Sequence, residues 1–171
     1  MKTLKILLVL VAVILSGFAR DSQTGKTETG VVVPLKFRGA TIPDYSSGWT
    51  VCTPVESGAA IVRSGWMQGH QTHGGVLIPE MSTWVITSCT AVGTTTISVA
   101  NGTITVANGD SYFLNAIMVI NHSTFEVSCD ITINDGVGRF EGVTGELTLN
   151  GFLDSNIVVT WSGEGFMSFP K

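Results

Sequence analysis

Three histidines are the residues whose types and spacing come nearest to a metal site. His70 and His73 stand three residues apart beside glycines, and His122 lies in an apparent turn. Three imidazoles can hold an open zinc site, but residues three apart on an extended strand point to opposite faces, so the first pair converges only if the chain bends. We interpret His73 instead as a buried hydrogen-bonding residue that fixes a turn. We expect no metal and no other cofactor.

Cysteines offer a second kind of chemistry. Cys52, Cys89 and Cys129 permit at most one intramolecular disulfide, with one thiol left over. Cys129 is in phase with the apolar residues of a predicted strand, so we expect a buried, inert thiol there. By elimination Cys52 and Cys89 are the better pair, and their bridge would contribute about 3–4 kcal/mol in the chain-entropy model. Neither has a His or Lys close in sequence to lower its pKa, which argues against a catalytic cysteine.

Carboxylates and aromatic side chains complete the set of candidates. Acidic residues such as Glu126 fall on the polar face of a predicted strand or at loops, so none is predicted to be buried. Four aromatic residues are candidates to line an apolar ligand cavity, although aromatic residues at strand spacing more often belong to a core: Trp66, Trp84, Tyr112 and Trp161. The sequence shows no constellation of acid, base and nucleophile, so a catalytic role is the less favoured interpretation.

The elements that position these residues are strands. Thr and Val are far commoner than Leu and Ala after residue 19, and β-branched side chains suit a pleated surface better than a helix. The clearest pattern is over residues 124–134, where apolar side chains alternate with polar ones and predict one core face and one solvent face. The predicted inward residues are Phe125, Val127, Cys129, Ile131 and Ile133.

Turn-forming residues bound the other predicted strands. These strands are 31–38, 48–53, 59–69, 82–89, 96–100, 103–107, 111–120, 146–152 and 157–168. Asn101-Gly102 accepts positive φ at both centres of a type I′ turn, which predicts a two-residue hairpin between 96–100 and 103–107. We therefore predict an all-β fold, a single antiparallel β-barrel of about 8–10 strands, with a β-sandwich as the alternative.

The N-terminus has the pattern of an export signal. Lys2 and Lys5 precede an apolar run over residues 6–15, and the small residues Gly17 and Ala19 then suit a cleavage site. The run is shorter than the about 20 apolar residues that a transmembrane helix needs. We predict a signal peptide over 1–19, a flexible leader over 20–30 and a single β-barrel domain over 31–171. The protein is expected to be secreted or periplasmic, without a membrane anchor.

Charge narrows the choice of partners. Removal of residues 1–19 leaves seven Lys and Arg against thirteen Asp and Glu. This acidic balance disfavours nucleic acid, which needs clustered basic residues, and it disfavours an anionic membrane surface. The predicted strand 111–120 is apolar on both faces, so its outer face is either covered or lies at a subunit interface in an oligomer.

Three short segments carry a resemblance to a known family: Gln71-Thr72-His73-Gly74-Gly75, Val106-Ala107-Asn108-Gly109-Asp110, and the glycine-spaced segment 136–145. They resemble a family of small secreted bacterial β-proteins with a Thr-His-Leu-Gly element, an Ala-Asn-Gly-Asp turn and a Gly-Thr-Gly-Arg-Phe-Ala-Gly-Ala-Thr-Gly loop. That family is similar to the allene oxide cyclase and dirigent type of barrel. The resemblance covers residues 60–169 and implies architecture, because most of the shared residues form turns. The positions it singles out are His73, Asn108, Gly109, Asp110, Gly138, Arg139, Phe140, Gly142 and Gly145.

The glycine-spaced segment 136–145 has a physical interpretation of its own. Its glycines allow backbone conformations closed to other residues, and Phe140 between them can fold inward and cap one barrel end. Arg139 is then free to pair with an acid or a strand carbonyl. The segment lacks the Lys-Ser/Thr of a P-loop and its strand-to-helix context, so we do not expect nucleotide binding.

Three functions stay open on the sequence. The first is a secreted non-catalytic β-barrel that binds a small apolar ligand or a protein partner. The second is an isomerase or cyclase acting on a hydrophobic substrate inside the barrel, as the resemblance implies. The third is a structural component of a cell surface or matrix. Fold alone does not decide among them.

Overall fold

A computed structural model describes residues 30–171, so the predicted signal peptide and all but the last residue of the predicted leader lie outside the described residues. Within this range regular structure consists of strands and short 3-10 helices. The strands are β1 (Val31–Pro43), β2 (Trp49–Val51), β3 (Ala60–Val62), β4 (Ser64–Gln71), β5 (Gly75–Val76), β6 (Thr83–Val92), β7 (Thr95–Thr105), β8 (Ser111–Asn121), β9 (Glu126–Val137), β10 (Thr144–Leu153) and β11 (Val159–Phe169). Over the same residues, no helix has the length and apolar character needed to cross a membrane.

Eight of these strands form a closed ring of hydrogen bonds. The ring runs β1-β11-β10-β9-β8-β7-β6-β4, every pair is antiparallel, and the short β5 pairs with residues 70–71 of β4, beyond the pairing of β4 with β6. Closure depends on the length of β1, which pairs with β11 over residues 31–41 and with β4 over residues 37–43. The ring confirms the predicted all-β fold and its antiparallel barrel.

Alternating side chains fill the interior of the ring, as strand β9 shows. Val127, Cys129, Ile131 and Ile133 are buried, and their polar neighbours face solvent. Phe125 departs from the prediction, because it is 54% exposed, has a φ of 60° and belongs to the turn before β9. The alternation therefore predicted the core face of the strand, and the strand itself starts later than predicted and ends at Val137.

The predicted hairpin at Asn101-Gly102 is wrong. Strand β7 runs unbroken from Thr95 to Thr105 and pairs with both β6 and β8. At Gly102 a Cβ would lie only 3.1 Å from the Leu114 side chain, so the glycine serves close packing inside the sheet. Pairing on both sides overrides the local turn preference, and the two-residue turn lies instead at Gly93-Thr94, where Gly93 has a φ of 58°.

Other strands also differ from the predictions; β1, for example, extends to Pro43. The predicted strand 59–69 is two strands, because the chain leaves the β2–β3 hairpin at Arg63 and enters the ring with β4. The two-residue strand β5 was not predicted; it is too short to carry an alternating pattern.

The barrel has two ends, which we name by what they carry. The motif end consists of the turns 72–74, 106–110 and 138–143. The disulfide end consists of the turns 93–94, 121–125 and 154–158 together with the segment 44–59. The two ends place different chemistry at opposite openings of the same ring.

Candidate functional site

The motif end brings together the three sequence elements of the family resemblance. Arg139 Nη2 donates a hydrogen bond to the carbonyl oxygen of Gly74 at 3.4 Å, and its Nε lies 3.6 Å from Asp110 Oδ2. Asn108 Nδ2 donates to the same Asp110 oxygen at 2.6 Å, and the Gly109 amide closes the turn on the Val106 carbonyl. Arg139 therefore connects the third element to both of the others.

Phe140 fills the motif end from inside. It is fully buried in a 3-10 turn, and its ring meets the edge of Tyr112 at a centroid distance of 5.3 Å. The Phe169 ring lies 6.0 Å away. The Arg139 guanidinium carbon lies 4.8 Å from the centre of the Phe140 ring, a cation–π arrangement. An aromatic cluster covered by a cation thus closes this opening.

Two glycines are required by the path of this loop. Gly138 has a φ of 70° and Gly142 a φ of 69°, in the region that side chains disfavour. A Cβ at Gly138 would collide with the Asp110 carboxylate, and one at Gly142 would lie 3.0 Å from the Pro170 ring. Gly145 is buried in β10 opposite Met167 of β11.

Asp135 is a residue of this end that the sequence analysis missed. Its Oδ1 accepts hydrogen bonds from the backbone amides of Gly136 at 2.7 Å and Gly142 at 2.8 Å. These two bonds stabilise the charged form and lower the pKa of the carboxyl. The carboxylate joins the beginning of the loop to its far side. An Asp-Gly pair after an alternating strand was the available signal.

A buried polar pair lies beneath Phe140. The Tyr112 hydroxyl donates to Gln71 Oε1 at 2.6 Å, and both residues are almost completely buried. Burial raises the pKa of Tyr112 well above its ordinary value, with a smaller opposing effect from the hydrogen bond. The phenol is therefore neutral and cannot act as a base at physiological pH. Among residues 30–171, Gln71 Nε2 has no hydrogen-bond partner.

The histidines do not form a site. His73 is exposed with a φ of 61°, so the prediction that it is buried is wrong; Gln71 occupies the buried position and His73 the left-handed turn. His70 is exposed on β4. His122 lies at the opposite end, with its Nε2 3.0 Å from Thr96 Oγ1. In the described part of the chain no group of three or more His, Cys, Asp or Glu can hold a metal ion.

Cysteine pairing follows the prediction. Cys52 and Cys89 form a disulfide across a sequence separation of 37, which ties the segment 44–59 to β6. Cys129 is a buried free thiol. Burial, and to a smaller extent the negative charge of Asp130, raises the pKa of Cys129 to about 12. A thiol with so high a pKa is protonated and unreactive at physiological pH.

The disulfide end encloses an apolar cavity of about 80 Å³. Ala100 and Ala116 lie directly opposite each other on β7 and β8, and these two small side chains leave space in the wall. The remaining wall is mostly apolar, and its residues with polar side-chain atoms or an ionisable group are Thr41, Trp84 and Cys129. The apolar wall residues include Met67, Met118, Leu153 and Ile157.

The four candidate aromatic residues are separated by the fold. Trp84 lines the cavity, and its buried Nε1 has no hydrogen-bond partner among residues 30–171. Tyr112 and Trp161 border a smaller void of about 20 Å³ deeper in the core, where Trp161 Nε1 donates to Thr41 Oγ1 at 3.2 Å. Trp66 is 37% exposed and lines neither space. Trp84 alone of the four is placed to meet a ligand in the larger cavity.

Comparisons of this chain with protein-family models, with curated proteins and with solved structures found no match. Fold and site therefore define a class: an antiparallel β-barrel with one end filled by an aromatic cluster and an apolar cavity at the other.

Proposed function

We propose that the protein is a secreted, non-catalytic β-barrel that binds a small apolar ligand in the cavity at the disulfide end. The observation that carries this proposal is an apolar cavity whose wall includes Trp84, a residue whose buried indole N–H has no hydrogen-bond partner among residues 30–171. A buried donor without an acceptor costs free energy. A ligand that brings an oxygen acceptor to this N–H removes that cost while its apolar part displaces no strongly bound water.

The size of the cavity restricts the ligand to a slender group. Its volume of about 80 Å³ is smaller than the ~150 Å³ cavity that admits benzene and well below the ~300–1,000 Å³ of ordinary ligand pockets. The end of an alkyl chain with a carbonyl or hydroxyl oxygen near Trp84 fits these limits. Met67 also borders the deeper void, so a change of its flexible side chain would lengthen the site.

The cavity wall favours binding over catalysis. An isomerase or cyclase needs an acid or base beside its substrate, and the residues that line this cavity include no Asp, Glu, His, Lys or Arg. Its ionisable group is the Cys129 thiol, whose pKa is raised to about 12. These features disfavour the cyclase that the family resemblance implied.

Export supports an extracellular or periplasmic setting for this binding role. The proposal of export rests on the signal-peptide pattern of residues 1–19. The Cys52–Cys89 disulfide also supports it, because disulfides persist in oxidising compartments.

Calorimetric titration with straight-chain alcohols from butanol to decanol tests the proposal. We expect binding with a negative heat-capacity change, the mark of apolar burial. Ala116→Leu fills the cavity and should abolish binding, whereas Ala91→Leu, at a partly buried position that packs against the core outside the cavity wall, should leave binding intact. Trp84→Phe removes the N–H and should weaken binding by about tenfold, the effect of one well-made hydrogen bond.

Two results would contradict this function. If none of the alcohols binds, the cavity is only a packing gap and a structural role becomes the better interpretation. If the alcohols bind equally well to Ala116→Leu, the ligand site lies elsewhere on the protein.

A further inference from the structure

A groove crosses the outer surface of the barrel over β1, β11, β10 and β9. Two adjoining hollows of about 580 Å³ and about 550 Å³ form it, and they share Arg38, Asn150 and Ser162. We name it the outer groove. Both hollows are shallow and open to solvent, and they lie outside the ring, apart from the cavity described above.

Polar side chains stand in a straight row along this groove. Arg38 pairs with Ser162, Ser162 with Asn150, and Asn150 with Ser128, on four successive strands. All four residues are exposed. Neighbouring strands are ~4.8 Å apart, so the row offers a hydrogen-bonding group at regular intervals over ~14 Å.

These groups are not used by the protein itself. In the described chain the one ion pair joins Arg139 to Asp110, so Arg38 has no acidic partner there. The neighbouring row of the groove differs, because its Thr148 hydroxyl donates to the Asp130 carboxylate at 2.9 Å. The row from Arg38 to Ser128 therefore offers donors and acceptors that a ligand can use.

An aromatic ring and balanced charges complete the lining. Phe152 is 61% exposed at the edge of the groove, where it presents an apolar face beside the polar row. Arg38 and Lys36 supply positive charge, and Glu126 and Glu164 supply an equal negative charge. A highly charged ligand of either sign therefore gains little from this surface.

We propose that the outer groove binds a neutral saccharide chain. Sugars combine hydroxyl groups that donate and accept hydrogen bonds with apolar C–H faces, and the groove combines amide and hydroxyl groups with an exposed ring. The rings of an extended glycan follow one another at an interval close to the strand spacing, so successive sugars meet successive strands. The proposal is independent of ligand binding in the interior cavity.

Calorimetric titration of the purified protein with cellohexaose, chitohexaose and maltohexaose tests this proposal. We expect at least one of them to bind, and Phe152→Ala and Asn150→Ala each to weaken that binding by about tenfold or more. The matched controls are Phe113→Ala and Asn115→Ala, two exposed residues on the outer face of β8 away from the groove; they should change binding by less than about twofold. Arg38→Gln gives a third groove variant that does not alter an aromatic contact.

Three outcomes would overturn the proposal. The first is no binding of any hexasaccharide up to roughly 10 mM, which corresponds to negligible affinity. The second is an equal loss in groove and control variants. The third is binding of dextran sulfate without binding of neutral chains, which would make the site a polyanion site. Ala116→Leu should leave saccharide binding unchanged, so failure of the cavity proposal is distinguishable from failure of this one.

Discussion

The two ends of the barrel close the same ring of strands by different physical means. At the motif end, Phe140 packs on Tyr112, and the loop is held in place by hydrogen bonds that Arg139 donates and that the Asp135 carboxylate accepts. At the disulfide end the interior contains a cavity, and a covalent bond from Cys52 to Cys89 holds the outer segment. A covalent constraint lowers the entropy of the unfolded chain, so this end needs less complete packing than the other.

The largest effect should come from Phe140→Ala at the motif end. Removal of a fully buried ring should lower the free energy of unfolding by about 3–5 kcal/mol, measured by urea denaturation. The control is Phe113→Ala, which removes a ring that is 42% exposed and should cost less than about 1 kcal/mol. Similar losses in both variants would show that this end is not held by packing.

Loss of the Cys52–Cys89 disulfide should have the second-largest effect on the free energy of unfolding. Cys52→Ser and Cys89→Ser should each lower the free energy of unfolding by about 3–4 kcal/mol for a loop of this length. The double variant should cost little more than either single change, because both remove one bond. Additive losses in denaturation experiments would mean that the two cysteines stabilise the protein separately and that the covalent explanation of this end is wrong.

Glycine replacements compare the crowding of the two ends directly. Gly138 and Gly58 both have positive φ, but a Cβ at Gly138 meets Asp110 whereas one at Gly58 meets nothing within 4 Å. Gly58→Ala should cost about 1 kcal/mol from backbone strain alone. Gly138→Ala should cost more, and Gly142→Val should exceed about 1 kcal/mol. Equal losses at positions 138 and 58 in thermal denaturation would remove the distinction.

The smallest expected effect is the pH dependence of stability that Asp135 contributes. The folded pKa of Asp135 lies below its unfolded value of about 3.9, so its stabilising effect is complete above that value and is lost as the pH falls through the folded pKa. Asp135→Asn should therefore be less stable than the parent near neutral pH, and the difference should shrink below about pH 4. A difference that does not change with pH would assign the role of Asp135 to its shape alone.

The sequence predicted those features of the fold that depend on residues close together in the chain. It did not predict features that depend on contacts between distant segments. Alternation predicted the core face of β9 from Val127 to Ile133, because burial there follows a period of two along one strand. The hairpin predicted at Asn101-Gly102 was wrong, because the turn preference of this dipeptide is local whereas the path of β7 is determined by its pairing with two neighbouring strands.

The candidate site was less accessible to such reasoning. The cavity exists because Ala100 meets Ala116, and that contact is a matter of register between strands. The bonds of Arg139 with Gly74 and Asp110 join segments far apart in sequence. The path of one turn determines that Gln71 is buried and His73 is not. Either polar residue was a candidate for that interior position.

The dual pairing of β1 also affects how the protein is made. Val31 pairs with Phe169, so the ring cannot close until residues 159–169 have been synthesised. Before that moment β1 and β10, the two strands that pair with β11, have open edges that can pair with other chains. Contacts over such sequence distances form slowly. A nascent chain of this topology therefore cannot close its barrel before β11 is available, and its open strand edges are exposed to aggregation until then.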